Sequence, residues 1–417
     1  MKCLKIAAGC LFIHSCAGLN MDKSGDPLPP PPKVVAGQRF ELTDPPLVGT
    51  SPAGQRFYLG GFSGLKYLGK DKDGNLRFLT HTDRGPNAEQ VEKGSRTLRP
   101  FLLPGFQPRL VFLVADLKTG TLRVEKEIPL QRPDGKKLSG IPQLAGQEEP
   151  IDSLGKPLPL DPYGMDLEGV ALAADGSFWM VEEYGPTVAR FSPDGKLRET
   201  LKPGRGLPKV LDQRRLNRGF EGAAIIGHRL FAILQSPLDN PRSEGQKNSK
   251  ASKLIRIIDV DLLGRRTLGQ YVYGLTDGDR AGDLAFEEAG SFLVIEQDGK
   301  AGKKSTKKIY RAQMDGATNL QLLSERVAGP GGSLEGAEKL EALGVVALKK
   351  FLALDLAAAG VNEEKVEGID LVEDSFLAVV TDNDFGVNGE LDKATGRVPE
   401  KSEKSALYLF PAEMWKP

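Results

Sequence analysis

The sequence predicts an all-β fold, a five- or six-bladed β-propeller with a helical insertion near residues 335–360. Three observations carry this expectation. Glycine (49) and proline (29) are abundant and cut the chain into short apolar runs, which suits strands and turns better than long helices. A short hairpin unit recurs along the chain. Most copies are followed by two further strand-like runs, such as 110–117 with 121–130 and 254–260 with 267–273. Four antiparallel strands per repeated unit is the pattern of propeller blades.

The first copy reads Phe62-Ser63-Gly64-Leu65, turns at Asp73-Gly74 and continues through residues 76–83. The second reads Asp166-Leu167-Glu168-Gly169-Val170, turns at Asp175-Gly176 and continues Phe178-Trp179-Met180-Val181-Glu182-Glu183-Tyr184. The third reads Phe220-Glu221-Gly222-Ala223, turns near Gly227 and runs over residues 230–235. Gly282-Asp283-Leu284 opens the fourth, with a turn at Gly290 and a run over 292–298. Val366-Glu367-Gly368-Ile369 opens the fifth, with a turn near Asp374 and a run over 376–384. A glycine directly after the first acidic residue (Gly169, Gly222, Gly368) ties three copies together. Residues 34–58 supply either a sixth unit or a strand that closes the ring with the C-terminal part. Between residues 335 and 359 the spacing of Leu340, Leu343, Val346, Leu348, Phe351 and Leu352 is helical, and an insertion over one mouth is expected there.

The 56 basic residues equal the 56 acidic ones, so no nucleic-acid partner is expected and any charged site must arise by local clustering. The three cysteines, Cys3, Cys10 and Cys16, all precede residue 17, which excludes a disulfide framework or a cysteine-ligated metal in the body of the chain. Lys2 and Lys5 followed by the apolar residues 6–13 form a leader too short to span a bilayer. Ile13-His14-Ser15-Cys16 loosely follows a lipobox, which leaves Cys16 lipidated; Ser15 and Ala17 equally fit ordinary cleavage before Gly18. The expected division is therefore a signal peptide at 1–17, a proline-rich linker at 18–33 and a propeller domain at 34–417. The product is expected to be exported, periplasmic or lipid-anchored to the cell envelope, and monomeric.

In an antiparallel hairpin the start of one strand lies beside the end of the next. Glu168 should then neighbour Glu182 or Glu183, Asp283 should neighbour Glu296 or Asp298, and Glu367 should neighbour Asp382 or Asp384. Glu221 should lie near Gln235, and Ser63 near Asp83. If these hairpins form the inner strands of blades, their acids converge on one mouth. Such crowding requires protons or metal, and an all-oxygen set indicates Ca²⁺, with Mg²⁺ or Mn²⁺ as alternatives. The expected ligands are Glu168, Glu183, Glu221, Asp283, Glu296, Glu367, Asp382 and Asp384. His81, Asp83 and Arg84 end the first hairpin, and Arg218 precedes the third. A titratable histidine and guanidinium groups beside a divalent ion suit phosphoester hydrolysis. Gly61-Phe62-Ser63-Gly64-Leu65 fails the serine-hydrolase elbow at its last position.

Several runs resemble the phytase-like family ("esterase-like activity of phytase"). They are Thr82-Asp83-Arg84-Gly85-Pro86-Asn87, Leu167-Glu168-Gly169-Val170, Glu182-Glu183-Tyr184-Gly185-Pro186, Gly219-Phe220-Glu221-Gly222 and Asp382-Asn383-Asp384-Phe385-Gly386. The likeness covers roughly residues 50–410. It implies an exported propeller rich in functional acids that hydrolyses small phosphate esters. Glu296-Gln297-Asp298 departs from it, since the family often has arginine between those acids. The same scaffold accommodates a metal-dependent lactonase or esterase, or a non-catalytic binding propeller stabilised by metal.

Overall fold

The computed structural model describes residues 37–94, 96–144, 148–241, 251–288 and 290–416. The expected leader, Cys16 and the proline-rich linker lie outside the described residues.

A strand with adjacent apolar residues at its centre must be buried on both faces. Leu254–Asp261, with Ile257 and Ile258 side by side, is such a strand. Its Ile258 packs with Trp179 and Val181 of the preceding sheet, while Ile257 packs with Phe292 and Val294 of the following one. The same alternation separates Met180 from Val181, Val294 from Ile295, and Val379 from Val380. The core is thus a series of apolar layers between neighbouring sheets, each buried aliphatic side chain contributing roughly 1.5–3 kcal/mol.

The strands group into five four-stranded antiparallel units, the second carrying one further short strand. The first is Phe62–Lys70, Leu76–Thr82, Arg109–Asp116 and Thr121–Pro129. The second is Leu167–Leu172, Phe178–Glu182, Thr187–Phe191 and Leu197–Pro203, followed by the short Gly206–Leu207. The third is Phe220–Ile226, Arg229–Leu234, Leu254–Asp261 and Arg266–Gly274. The fourth is Arg280–Glu288, Ser291–Gln297, Lys307–Gln313 and Lys349–Asp355. The fifth combines Lys365–Val372, Phe376–Asp382 and Ala406–Pro411 with the N-terminal strand Gln38–Leu42.

The first strand of each unit packs on the first strand of the next, and Lys365–Val372 returns to Phe62–Lys70. The expected propeller-type, nearly all-β architecture is borne out. Residues 38–42 close the ring: Phe40 pairs antiparallel with Leu407, and Glu41 and Leu42 continue in parallel against Thr121 and Leu122. That last pairing fuses the outer edges of the first and fifth units. The turn at Asp175-Gly176 shows how local chemistry sets the hairpins. Gly176 takes φ +78°, and Asp175 Oδ1 accepts the Ser177 N–H at 2.9 Å.

One expectation fails. Residues 335–360 do not form a helical insertion. The helical spacing is split between two elements by Gly344, which adopts φ +67° and ends the 3₁₀ turn Leu340–Leu343. Leu340 and Leu343 pack with Val272 on the flank of the third unit, whereas Phe351 and Leu352 belong to Lys349–Asp355, the outer strand of the fourth. The insertion that does reach the mouth is β-structured. Val91–Lys93 and Arg96–Phe101 interrupt the first unit and are joined in parallel by Glu149–Asp152.

Candidate functional site

The five inner hairpins open at one end of the ring, and three positions per hairpin recur there. The residue ending the second strand, or just beyond it, is Asp83, Glu183, Gln235, Gln297 or Asp382. Opposite it, at the start of the first strand, stands Gly61, Asp166, Gly219, Arg280 or Lys365. Two residues further on comes Ser63, Glu168, Glu221, Gly282 or Glu367. In the second, third and fifth units the ladder slips by one residue at this last position, so Glu168, Glu221 and Glu367 are the bulged residues. A bulge releases its residue from the ladder and re-aims the side chain. The glycine after each bulge is demanded by close approach: a Cβ at Gly368 would lie 2.7 Å from the Gly64 backbone, and one at Gly169 would lie 2.8 Å from Gly222.

Glu168, Glu221 and Glu367 line one cavity of about 330 Å³ with Ser63, Asp83, Asp166, Glu183, Gln235, Asp382 and Asp384. Hydrogen bonds lace these side chains across neighbouring units. Ser63 donates to Glu168 at 2.9 Å, and Gln235 Nε2 donates to both Glu183 (2.7 Å) and Glu221 (2.8 Å). The ligand oxygens of Asp166, Glu168 and Glu183 lie within 4.8 Å of one another.

Burial dominates the electrostatics. It pushes the Glu168 carboxyl well above the usual range, with the charges of Asp166, Glu221 and Glu183 adding to it. Burial and then Asp166 lift Glu183 to about 8, against the pull of Arg218 and Arg84. Asp382 is raised to about 7 by burial and then Asp384, against Lys365. Asp83, Glu221 and Glu367 are raised as well, burial first in each. Crowded, desolvated carboxyls of this kind bind either protons or a cation.

Other expected site residues do different work. Asp283 takes the position where the other units carry glycine, because the fourth unit reads Ala281-Gly282-Asp283 where the second reads Leu167-Glu168-Gly169. Its carboxylate turns between inner strands, accepting the Leu284 N–H at 2.7 Å and the Ile369 N–H at 3.1 Å. Glu296 faces away from the mouth and accepts the N–H groups of Thr276 (3.0 Å) and Asp277 (3.1 Å) and the Tyr273 hydroxyl (2.8 Å). His81 is fully buried, with Nδ1 3.1 Å from Thr82 O, and burial lowers it to about 4, so its ring is neutral near pH 7. None of these three lines the cavity.

Arg84 lines the cavity, but its guanidinium pairs with Glu148 at 3.1 Å and Asp166 at 3.3 Å. Asp384 is held down at about 2 by Lys365 and Lys401, although burial opposes them. Arg218 remains at the rim, its side chain 43% exposed and 3.9 Å from Glu183. Sequence reasoning missed Asp166, Arg99, Arg280 and Lys365, which line the cavity, and Glu148 buried behind them. Asp166, Arg280 and Lys365 carried a signal, since all three stand two residues before the bulge position.

A relative from Arthroderma benhamiae, described as an uncharacterized secreted protein, is 25% identical over 193 residues, covering 35% of this chain and 37% of that one. The chain thus spans well under half the length of that relative. Among solved structures, a Podospora anserina α-L-arabinofuranosidase aligns at TM-score 0.38 and 12% identity over 90% of this chain and 98% of its own. A Xanthomonas campestris gluconolactonase aligns at TM-score 0.32 and 12% identity, over 92% and 99%. The hairpins that build the mouth, with their Glu-Gly bulges and the Thr82-Asp83-Arg84-Gly85-Pro86-Asn87 turn, fall within residues 58–385, the span matched by the family described as "esterase-like activity of phytase", and the chain belongs to this phytase-like family.

Proposed function

We propose that the chain is an exported, metal-dependent hydrolase of small phosphate esters, working at the mouth cavity. The observation that carries the reading is the convergence of Asp166, Glu168 and Glu183 within 4.8 Å, in a cavity whose other walls present Arg218, Arg280 and Lys365. An all-oxygen donor set of buried carboxyls fits a hard divalent cation, Ca²⁺ before Mg²⁺ or Mn²⁺. When bound, such an ion supplies Lewis-acid polarisation of a phosphoryl oxygen.

The protein's own groups account for the rest. Arg84 fixes Asp166 from behind, through its side chain and through its backbone N–H at 3.2 Å. Ser63 and Gln235 orient Glu168, Glu183 and Glu221. Asp83 and Asp382, whose carboxyls burial lifts toward neutrality, are assigned to proton transfer, which works best near the operating pH. Arg218, at the rim, meets the anionic substrate as it enters. Export agrees with the leader and with the secreted relative; among the described residues no helix is long and apolar enough to cross a membrane.

The test is hydrolysis of phosphomonoesters, phosphodiesters and lactones by the purified protein, with and without chelator. Phosphate-ester turnover that chelator abolishes and Ca²⁺ restores is expected. Turnover of lactones alone would make it a lactonase, and no turnover at all would leave a binding propeller.

A further inference from the structure

The walls of the mouth are not equivalent. The position that carries Asp166 in the second unit carries Arg280 in the fourth and Lys365 in the fifth. The fourth unit also lacks a carboxylate at its bulge, where Gly282 stands, and its Asp283 is spent on backbone N–H groups. Gln297, at its remaining mouth position, is tied to the Val366 N–H at 3.0 Å and to Glu367 at 3.2 Å. The second unit thus forms an acidic pole of the cavity, the fourth presents Arg280 to it and no carboxylate, and the fifth sets Lys365 among Glu367, Asp382 and Asp384.

The two cations are not equally engaged. Lys365 is paired with Asp382 at 3.2 Å and also with Asp384. Among the described residues, Arg280 makes one long hydrogen bond, to Asp298 O at 3.4 Å, and one ion-pair approach, to Asp279 at 3.9 Å. Its side chain is 18% exposed and lines the cavity. A guanidinium carries five donors in a fixed fork that matches phosphate oxygens. The fork of Arg280 is partly exposed and its charge already acts on Glu221 and Glu367, but its unspent donors face the cavity, where an entering anion can complete them. Arg84 provides the contrast, its donors being taken by Glu148 and Asp166.

We propose that Arg280 is the substrate-binding residue that holds the anionic phosphoryl group, opposite the acidic pole formed by Asp166, Glu168 and Glu183. The assignment rests on the hydrolase reading above and adds a specificity determinant to it. Arg280 binds the phosphoryl oxygens through paired N–H donors. Arg218 meets the substrate at the rim and Arg280 holds it inside.

The experiment follows para-nitrophenyl phosphate hydrolysis and its inhibition by inorganic phosphate, at sub-millimolar Ca²⁺, in wild type, Arg280→Ala, Arg280→Lys and Arg280→Gln. Loss of charge-assisted hydrogen bonds predicts a rise in KM and in the phosphate inhibition constant of roughly ten- to a hundredfold in Arg280→Ala. Arg280→Lys should recover part of this, because a point charge replaces the fork. The Ca²⁺-induced shift in melting temperature should persist in all three variants, which separates anion binding from a structural role. If Arg280→Ala does not fold, Arg280→Gln gives the same comparison with the aliphatic stem and a polar end kept but the charge removed. Wild-type turnover with unchanged KM and phosphate inhibition in the variants overturns the role of Arg280 and leaves the hydrolase reading standing. Absence of both turnover and phosphate binding in wild type overturns the two together.

Discussion

Arg84 and Asp166 meet twice, the guanidinium 3.3 Å from one carboxylate oxygen and the backbone N–H 3.2 Å from the other. The same guanidinium reaches Glu148 and lies 5.8 Å from the Tyr184 ring centroid and 6.0 Å from that of Phe101. This arginine is therefore a buried counter-charge before it is anything else.

Arg84→Ala should accordingly destabilise the fold. Removing one partner from a buried pair leaves uncompensated charge and typically costs about 3–5 kcal/mol. Urea unfolding of wild type and Arg84→Ala, with m compared as well as midpoint, measures the loss. Adding Glu148→Gln and Asp166→Asn to Arg84→Ala should recover part of it. A midpoint unchanged in Arg84→Ala would mean that solvent, not burial, governs this pair.

The pH dependence of stability should carry the mark of Glu148. Burial alone would raise its carboxyl, but Arg84 and Arg99 outweigh burial and hold it down at about 2. A carboxyl lowered on folding adds stability that is fully present above its unfolded value, near 4.5, and is lost as pH falls toward 2. The full increment is about 3 kcal/mol. The stability gap between wild type and Glu148→Gln should be widest near neutrality and should close between about pH 4.5 and pH 2. A gap that stays constant down to pH 2.5 would contradict the assignment.

Metal should act on the acidic pole as a ligand that binds only the folded chain. At a concentration a hundredfold above its dissociation constant, linkage supplies about 2.7 kcal/mol, a shift of several degrees in melting temperature. Glu168→Gln and Asp166→Asn keep the shape of the pole and remove one charge each, so each should shrink the Ca²⁺-induced shift. Differential scanning calorimetry with Ca²⁺ and with chelator decides it; equal curves in wild type would remove the metal from the mechanism.

How much of this was legible in the sequence depends on how local the signal was. The hairpins were readable because each combines an apolar run, a turn glycine and a second run, and those signals lie within about twenty residues. The pairing of Gln38–Leu42 with Ala406–Pro411 was expected only as one of two alternatives for residues 34–58, the other being a sixth unit, because it joins distant segments and leaves no local signal to decide between them. The Glu168, Glu221 and Glu367 positions were readable because glycine follows each. The fourth unit misled by offering Gly-Asp where the second, third and fifth offer Glu-Gly, which shifts its acid by one residue and so to another face. Glu148 came from an irregular stretch without periodicity, and nothing in the sequence tied it to Arg84.

That one-residue shift yields the sharpest contrast. Asp283 and Glu168 look alike in the repeat, yet Asp283 accepts the Leu284 and Ile369 N–H groups while Glu168 opens into the cavity. Burial pushes Asp283 well above the usual carboxylate range, so its charge matters less than its acceptor oxygens. Asp283→Asn keeps one of the two acceptor oxygens and sets an NH2 against the other N–H, so it should cost about 1–3 kcal/mol. Asp283→Ala leaves buried N–H groups without a partner and should cost about 1–3 kcal/mol for each. Neither variant should alter the Ca²⁺-induced shift in melting temperature. Glu168→Gln should show the reverse, with a small change in stability without metal and a clear loss of the shift. If Asp283→Asn instead abolishes the Ca²⁺ response, then Asp283 belongs to the metal set after all, and the inner-strand position of its carboxylate must rearrange when the ion binds.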